Sequence, residues 1–343
     1  MRIGNNPEKV NYEISSLAYH RVVVPVYIPN FEGYFKDAFE IFKLNIESLL
    51  LTVHDKTRIT IYNNNCIAEV KQYIDVLYER HEIIDQVFHS KENLGKINAI
   101  LASVKGNLEP LITITDSDVF FKHNWQQAVE EVFLHFPKAG MVSPVPGSKA
   151  YSNFTANNWL FGLFRYKGIS FEKVNDPEAM KLFDMSLGNP TPMYKSIHLE
   201  KYLVLNNRGN KAVMGCGHFV ATLKREVFDE GPNTPAFIKI QNGVENRFID
   251  FPNEKLGYLR LATLNNYAYH LGNVSEKWMH EEFEKISIHK NNNYCLSNID
   301  PIYAKPFSAL EVFLGKVLKK VILHKFIKAT FFAQKGLKNN LDY

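Results

Sequence analysis

From Arg21 to about Pro144, short runs of β-type residues alternate with segments of helical period. "RVVVPVYIP" (21–29) is β-branched and, after Arg21, uncharged, as a strand buried on both faces must be. "YFKDAFEIFKLNIESLLLT" follows with Phe35, Phe39, Phe42, Ile46, Leu49 and Leu50 three and four apart, the spacing of one apolar helix face. "RITIY", "DQVFHS", "LITIT" and "AGMVSP" read as further strands. The segments "IAEVKQYIDVLYER", "GKINAILASVKG" and "NWQQAVEEVFLHF" read as the helices between them. This order predicts an α/β fold, a mostly parallel sheet with helices on both faces.

The pattern breaks between Gly147 and Gly209, where Asn, Pro, Tyr and Lys recur without a period. A stretch this long reads as a functional insertion rather than a passive loop. Trp159, Tyr166 and Tyr194 within it are candidates to stack on a ligand's rings, or else core residues. Order returns at "GHFVATLKREVFDEG", a strand and a short helix. "VENRFIDFPNEKLGY" then reads as a helix that Pro252 interrupts, and "YLRLATLNNYAYHLGN" as one or two strands ending at His270.

A hydrophobic content of 45% supports a packed core, so disorder is not expected. Three widely spaced cysteines argue against a disulfide framework and suit a reducing compartment. The N-terminal residues lack an apolar signal region, and no run of about 18 apolar residues is present to span a bilayer. The expected location is cytoplasmic, with a peripheral contact to the inner face of the cell membrane left open.

The net charge of +4 is unevenly placed: Pro306–Lys338 holds seven lysines and one glutamate, +6, which leaves −2 for the rest. A nearly neutral body does not suit a nucleic-acid binder. At 100° per residue, Phe307, Leu310, Phe313, Leu314, Val317, Leu318, Val321 and Ile322 share one side of a helix. Lys316, Lys319 and Lys320 fall opposite. Such a stripe fits an anionic membrane surface, the protein's own body, or a second subunit in a homo-oligomer.

In an open parallel sheet, ligands bind beyond the carboxyl ends of the strands. Four polar or turn-forming segments fall there: Pro25–Pro29, Asn63-Asn64, Asn93-Leu94-Gly95-Lys96 and Asp116-Ser117-Asp118. A D-x-D pair alone is a weak signal, because acidic turns are common. Placed at the fourth strand end, its hard oxygen donors suit Mg²⁺ or Mn²⁺. Lys96, opening a helix beside Gly95, suits an anion.

"VVVPVYIPN", "ITIYNNNC", "ENLGKINAIL" and "ITITDSDVFF", followed by "MGCGHFVATLKREVFDEGP", "VENRFIDFPNEKLGY" and "YAYHLGN", resemble the family-2 glycosyltransferases of GT-A fold, of the bacterial surface-polysaccharide type. The resemblance spans Arg21 to Asn273. It implies transfer of a sugar from a nucleotide diphosphate sugar, UDP- or GDP-linked, to a hydroxyl on a saccharide or lipid-linked acceptor, with inversion and with Mn²⁺ or Mg²⁺. It implies that Pro25 and Tyr27 line the base pocket and that Asn63 or Asn64 contacts the nucleoside. Asn93, Gly95 and Lys96 would lie along the nucleotide, Asp116 and Asp118 would hold the metal, and His270 would join them.

The chain departs from the family at the catalytic base, where Asn246 replaces the second of two acids. An amide accepts no proton, so Glu245 is the first candidate and Asp250 the second. The implied organisation is a transferase domain over residues 1–305, with a nucleotide half at 20–145 and an acceptor half at 146–280, and a basic helical tail at 306–343. The alternatives are a sugar-nucleotide nucleotidyltransferase, disfavoured by the lack of a glycine cluster after the first strand, and a non-catalytic nucleotide-sugar-binding relative.

Overall fold

A computed structural model describes residues 3–7, 9, 16–239, 244–289, 294–337 and 343. In chain order the strands are β1 His20–Val26, β2 Thr57–Asn64, β3 Ile84–Ser90, β4 Leu111–Thr115, β5 Val119–Phe121 and β6 Ala139–Ser143. They continue as β7 Ile169–Lys173, β8 Lys201–Asn207, β9 Asn210–Met214, β10 Val220–Lys224, β11 Leu259–Ala262 and β12 Ala268–His270. Ten of them form one sheet in the order β3-β2-β1-β4-β10-β6-β11-β9-β8-β7, and β12 and β5 form a separate pair.

The α/β architecture is the expected one. β3, β2, β1 and β4 pair in parallel, and so do β6 and β11. β10 is inserted antiparallel between β4 and β6. The helices Ala38–Thr52, Ala68–Arg80, Lys96–Val104 and Trp125–His135 fill the connections where the spacing placed them. β1 is buried along its whole length, which explains why it carries no alternation.

Its first residues bury polar groups rather than starting at the surface. The Arg21 guanidinium sits between Asp85, at 2.7 and 2.8 Å, and Glu109, at 2.9 Å on two nitrogens. His20 donates and accepts at 2.7 Å with Glu130 and Thr113, and His54 reaches Glu130 at 3.0 Å. These groups close the amino end of β1, leaving its carboxyl end for the site.

The Gly147–Gly209 stretch is not an irregular loop. It contains the helices Ala156–Leu163, Pro177–Ser186 and Ser196–Glu200, and the strands β7 and β8 that extend the sheet. The helix Ala156–Leu163 shows no period because it is buried on every side through Gly162. Asn157 and Asn158 tolerate that burial by donating to the carbonyls of Glu254, Tyr258 and Arg260. Trp159 is a core residue, its indole donating to the Tyr151 carbonyl. Tyr166 is exposed and Tyr194 half-buried.

Pro252 marks a boundary. A single π-helical turn, Asn246–Asp250, precedes it, and it occupies the first turn of the helix Phe251–Leu256, where its missing N–H costs nothing. The tail forms two helices, Ala309–Ile322 and Lys325–Gln334. The first opens with a reciprocal cap between Ser308 and Glu311. Phe307, Val312, Ile322 and Phe332 join the main core. No helix among the described residues is long and apolar enough to cross a membrane.

Candidate active site

Two cavities open beyond the carboxyl ends of β1, β2 and β4. The first, about 370 Å³, is walled by Pro25, Tyr27, Phe35, Asn64, Asn93 and Gly95 among others. The second, about 550 Å³, is walled by residues such as Phe154, Phe183, His218, Phe219, Glu245 and Asn246. Lys96 and Asp116 line both. The expected residues therefore converge, with two qualifications concerning Asn63 and Asp250.

Asn63 is buried and braces the turn after β2. Its Oδ1 accepts from the Cys66 amide at 2.8 Å, and its side-chain amide meets His89 Nδ1 at 2.9 Å. Asn64 is the one that lines the cavity. It accepts from the Leu94 amide and donates to Asn93 Oδ1, both at 2.9 Å. Asn93 Oδ1 in turn accepts from the Gly95 amide at 2.9 Å. These bonds shape the loop that delivers Lys96. Gly95 has φ +83°, and a Cβ there would come within 2.9 Å of the Lys239 Cα, so the position requires glycine on two counts.

The acidic pair is positioned by its neighbours in the sheets. The Asp116 amide donates to the Phe219 carbonyl at 2.8 Å, at the end of the β4–β10 ladder. β12 pairs antiparallel with β5 and sets His270 opposite Val119, and the Leu271 amide then bonds the Asp118 carbonyl at 2.7 Å. His270 Nε2 comes to 3.5 Å from Asp118 Oδ2. Its Nδ1 pairs with the Ser186 hydroxyl at 2.8 Å, which sets the ring's orientation. Ser186 gave no signal in sequence, because it closes a helix inside the aperiodic stretch.

Asp116, Asp118 and His270 bring one ligand atom each within 4.8 Å of one another. Asp118 Oδ1 is buried with no hydrogen-bond partner. Burial and the Asp116 charge push the Asp118 carboxyl above its ordinary range, against the opposing pull of His270 and Lys96. Two carboxylates and an imidazole, one oxygen unsatisfied, fit a hard divalent cation. Lys96 forms an ion pair with Asp116 and lies 3.9 Å from Glu245. Burial works against its charge, but Asp116 and Glu245 outweigh it and hold the ammonium protonated above its usual range.

On the second cavity's wall, Glu245 is partly open and stands directly before the π turn. Asp250 is sealed inside the fold, 3.1 Å from the Arg260 guanidinium and 3.1 Å from His218 Nδ1. It meets the cavity through His218 and Arg260, which both line it. His218 was not singled out in sequence. Its place follows from β10, which continues from Phe219, beside Asp116.

No protein-family model matches this chain, and no curated protein is similar to it in sequence. Among solved structures, it is similar to the mannosyltransferase PcManGT from Pyrobaculum calidifontis in complex with GDP-Man and Mn²⁺. That likeness has 13% identity over 96% of this chain and 87% of the other, with a TM-score of 0.44. It is also similar to GalNAc-T7 with UDP, GalNAc and Mn²⁺, at 14% identity over 80% of this chain and 48% of the other, with a TM-score of 0.46. The chain thus spans about half the length of GalNAc-T7. At such values the functional reading rests on the site's own geometry.

Proposed function

We propose that this protein is a GT-A-type glycosyltransferase that moves a sugar from a nucleotide diphosphate sugar to a hydroxyl acceptor, with inversion. One observation carries the reading: two cavities share Lys96 and Asp116, and a carboxylate–carboxylate–imidazole cluster stands at their junction. The first cavity suits the nucleoside, with Tyr27, Phe35 and Ile41 for the apolar faces and Asn64 and Asn93 for hydrogen bonds. The second suits the acceptor. In support of this assignment, the first cavity is lined mainly by residues before about 145 and the second mainly by residues after it.

The chemistry is a displacement at the anomeric carbon. The acceptor oxygen forms the new bond as the bond to the diphosphate oxygen breaks, and the nucleoside diphosphate leaves with the electron pair. Asp116, Asp118 and His270 would hold Mn²⁺ or Mg²⁺, whose charge offsets that of the departing diphosphate. Lys96 adds a fixed positive charge at the same junction.

The acceptor proton must go to a base within hydrogen-bond reach. Glu245 is the first choice, a carboxylate on the second cavity's wall. A second reading is favoured by the 3.1 Å contact of Asp250 with His218 Nδ1. With Nδ1–H donated to Asp250, His218 Nε2 holds its lone pair free to accept a proton. In that reading Asp250 acts by orienting His218.

Acceptors in surface polysaccharide or glycolipid synthesis, saccharide or lipid-linked, fit this chemistry. Calorimetry with UDP and GDP, with and without Mn²⁺ or Mg²⁺, tests the donor site. Metal-dependent binding that Asp118→Ala abolishes supports the reading, and binding undiminished by that substitution overturns it. A panel of sugar nucleotides assayed for transfer then identifies the donor.

A further inference from the structure

The outer face of the tail helix Ala309–Ile322 is apolar. The helix lies on the body through Val312, Gly315 and Ile322. Contact is close because Gly315 has no side chain: a Cβ there would stand 2.7 Å from the Ala156 carbonyl oxygen. The opposite face carries Leu310, Phe313, Leu314, Val317 and Val321, spaced three and four apart as a continuous stripe. All five are exposed, Leu310 by 69% and Phe313 by 61%. Of the apolar stripe that the helical period defines, the body covers Phe307, Leu318 and Ile322 and leaves the other five residues uncovered. In the second tail helix Phe326 is 74% exposed as well.

The charges bordering this stripe choose its partner. Lys316 and Lys320 are exposed along one edge, Lys325 is exposed at the start of the second tail helix, and Glu311 is half-buried in the cap with Ser308. A second copy seated on the stripe would bring a second set of the same lysines to the interface. An anionic lipid surface instead takes the apolar side chains below the headgroups and the ammonium groups among the phosphates.

We propose that the outer face of Ala309–Ile322 docks this protein on an anionic membrane surface, with Phe313 and Val317 as apolar anchors and Lys316 and Lys320 as the electrostatic border. The helix lies in the interface plane rather than across it. The helix beneath it, Ala156–Leu163, begins just after Phe154, which lines the second cavity.

Sedimentation of the full chain with phosphatidylcholine vesicles, with and without phosphatidylglycerol, tests this without any nucleotide, so it fails or succeeds independently of the sugar-transfer reading. Binding is expected only with phosphatidylglycerol and should weaken as salt rises. The doubly substituted Phe313→Ser/Val317→Ser chain should bind at least ~10-fold more weakly. Lys316→Glu/Lys320→Glu should bind more weakly at low salt and lose most of the salt dependence. All four side chains are exposed, so circular dichroism and thermal unfolding should match the native protein. Equal sedimentation of native and Phe313→Ser/Val317→Ser protein overturns the proposal. So does a native dimer on gel filtration that becomes monomeric in that variant while vesicles fail to bind either.

Discussion

Asp250 Oδ2 lies 3.1 Å from Nδ1 of His218, and Arg260 holds the other carboxylate oxygen at 3.1 Å. A carboxylate sealed in the fold thus addresses the second cavity through an imidazole, beside a second carboxylate, Glu245, that faces the cavity directly. The two arrangements predict different kinetics. With Glu245 as base, Glu245→Gln should lower kcat by ~10²–10⁴ while donor Kd holds, and His218→Gln should have a small effect. With His218 as base the magnitudes exchange, and Asp250→Asn should lower kcat too. Transfer assays with saturating donor, alongside calorimetric donor Kd, separate them.

Ser186 orients His270, and this can be read without turnover. Its hydroxyl pairs with His270 Nδ1 at 2.8 Å, leaving Nε2 toward Asp118. Ser186→Ala should weaken Mn²⁺ binding by ~10–100-fold, as loss of an outer-shell partner commonly does. Electron paramagnetic resonance titration of Mn²⁺ measures it. Ser186→Thr should retain most of the affinity, and an unchanged affinity in Ser186→Ala would remove Ser186 from this role.

Gly95 is the backbone hinge of the loop that carries Lys96. With φ +83° and ψ 160°, any side chain is strained, and a Cβ would also meet the Lys239 backbone at 2.9 Å. Gly95→Ala should cost ~1–3 kcal/mol of stability and weaken nucleotide binding as Lys96 shifts. Urea unfolding and calorimetry with UDP or GDP report the two effects.

Acid stability should be governed by His20 and Glu130. Burial pushes His20 below its ordinary 6.5, so the folded state keeps it neutral. Burial raises Glu130, but its bonds to His20 and His54 outweigh that and hold it below its ordinary 4.5. Both pKa values are depressed in the folded state, so both contributions are present above the unfolded values and lost as pH falls. Stability should begin to drop below about pH 6.5 through His20 and fall further below about pH 4.5 through Glu130. Glu130→Leu leaves the buried Tyr19, His20 and His54 without their shared acceptor and should cost ~1–3 kcal/mol at neutral pH for each group left unpaired. Thermal unfolding across pH checks both.

The sequence by itself determined the strand–helix alternation, the strand ends and the polar residues on them. Those are local properties: β-branched runs, helical spacing, and turns where the chain leaves a strand. Asn64, Asn93, Lys96 and Asp116 were legible for that reason. Tertiary structure decided everything that depends on which segments become neighbours. It turned Asn63 inward, placed Ser186 against His270 and put His218 in front of Asp250, pairs separated by 84 and 32 residues. It also gave the Gly147–Gly209 stretch its helices and strands, of which the helix Ala156–Leu163, buried on every side through Gly162, leaves no period to read. For the tail, the apolar stripe was visible in the sequence, but its direction was not. The packing of Val312, Gly315 and Ile322 on the body turned Leu310, Phe313 and Val317 away from the core.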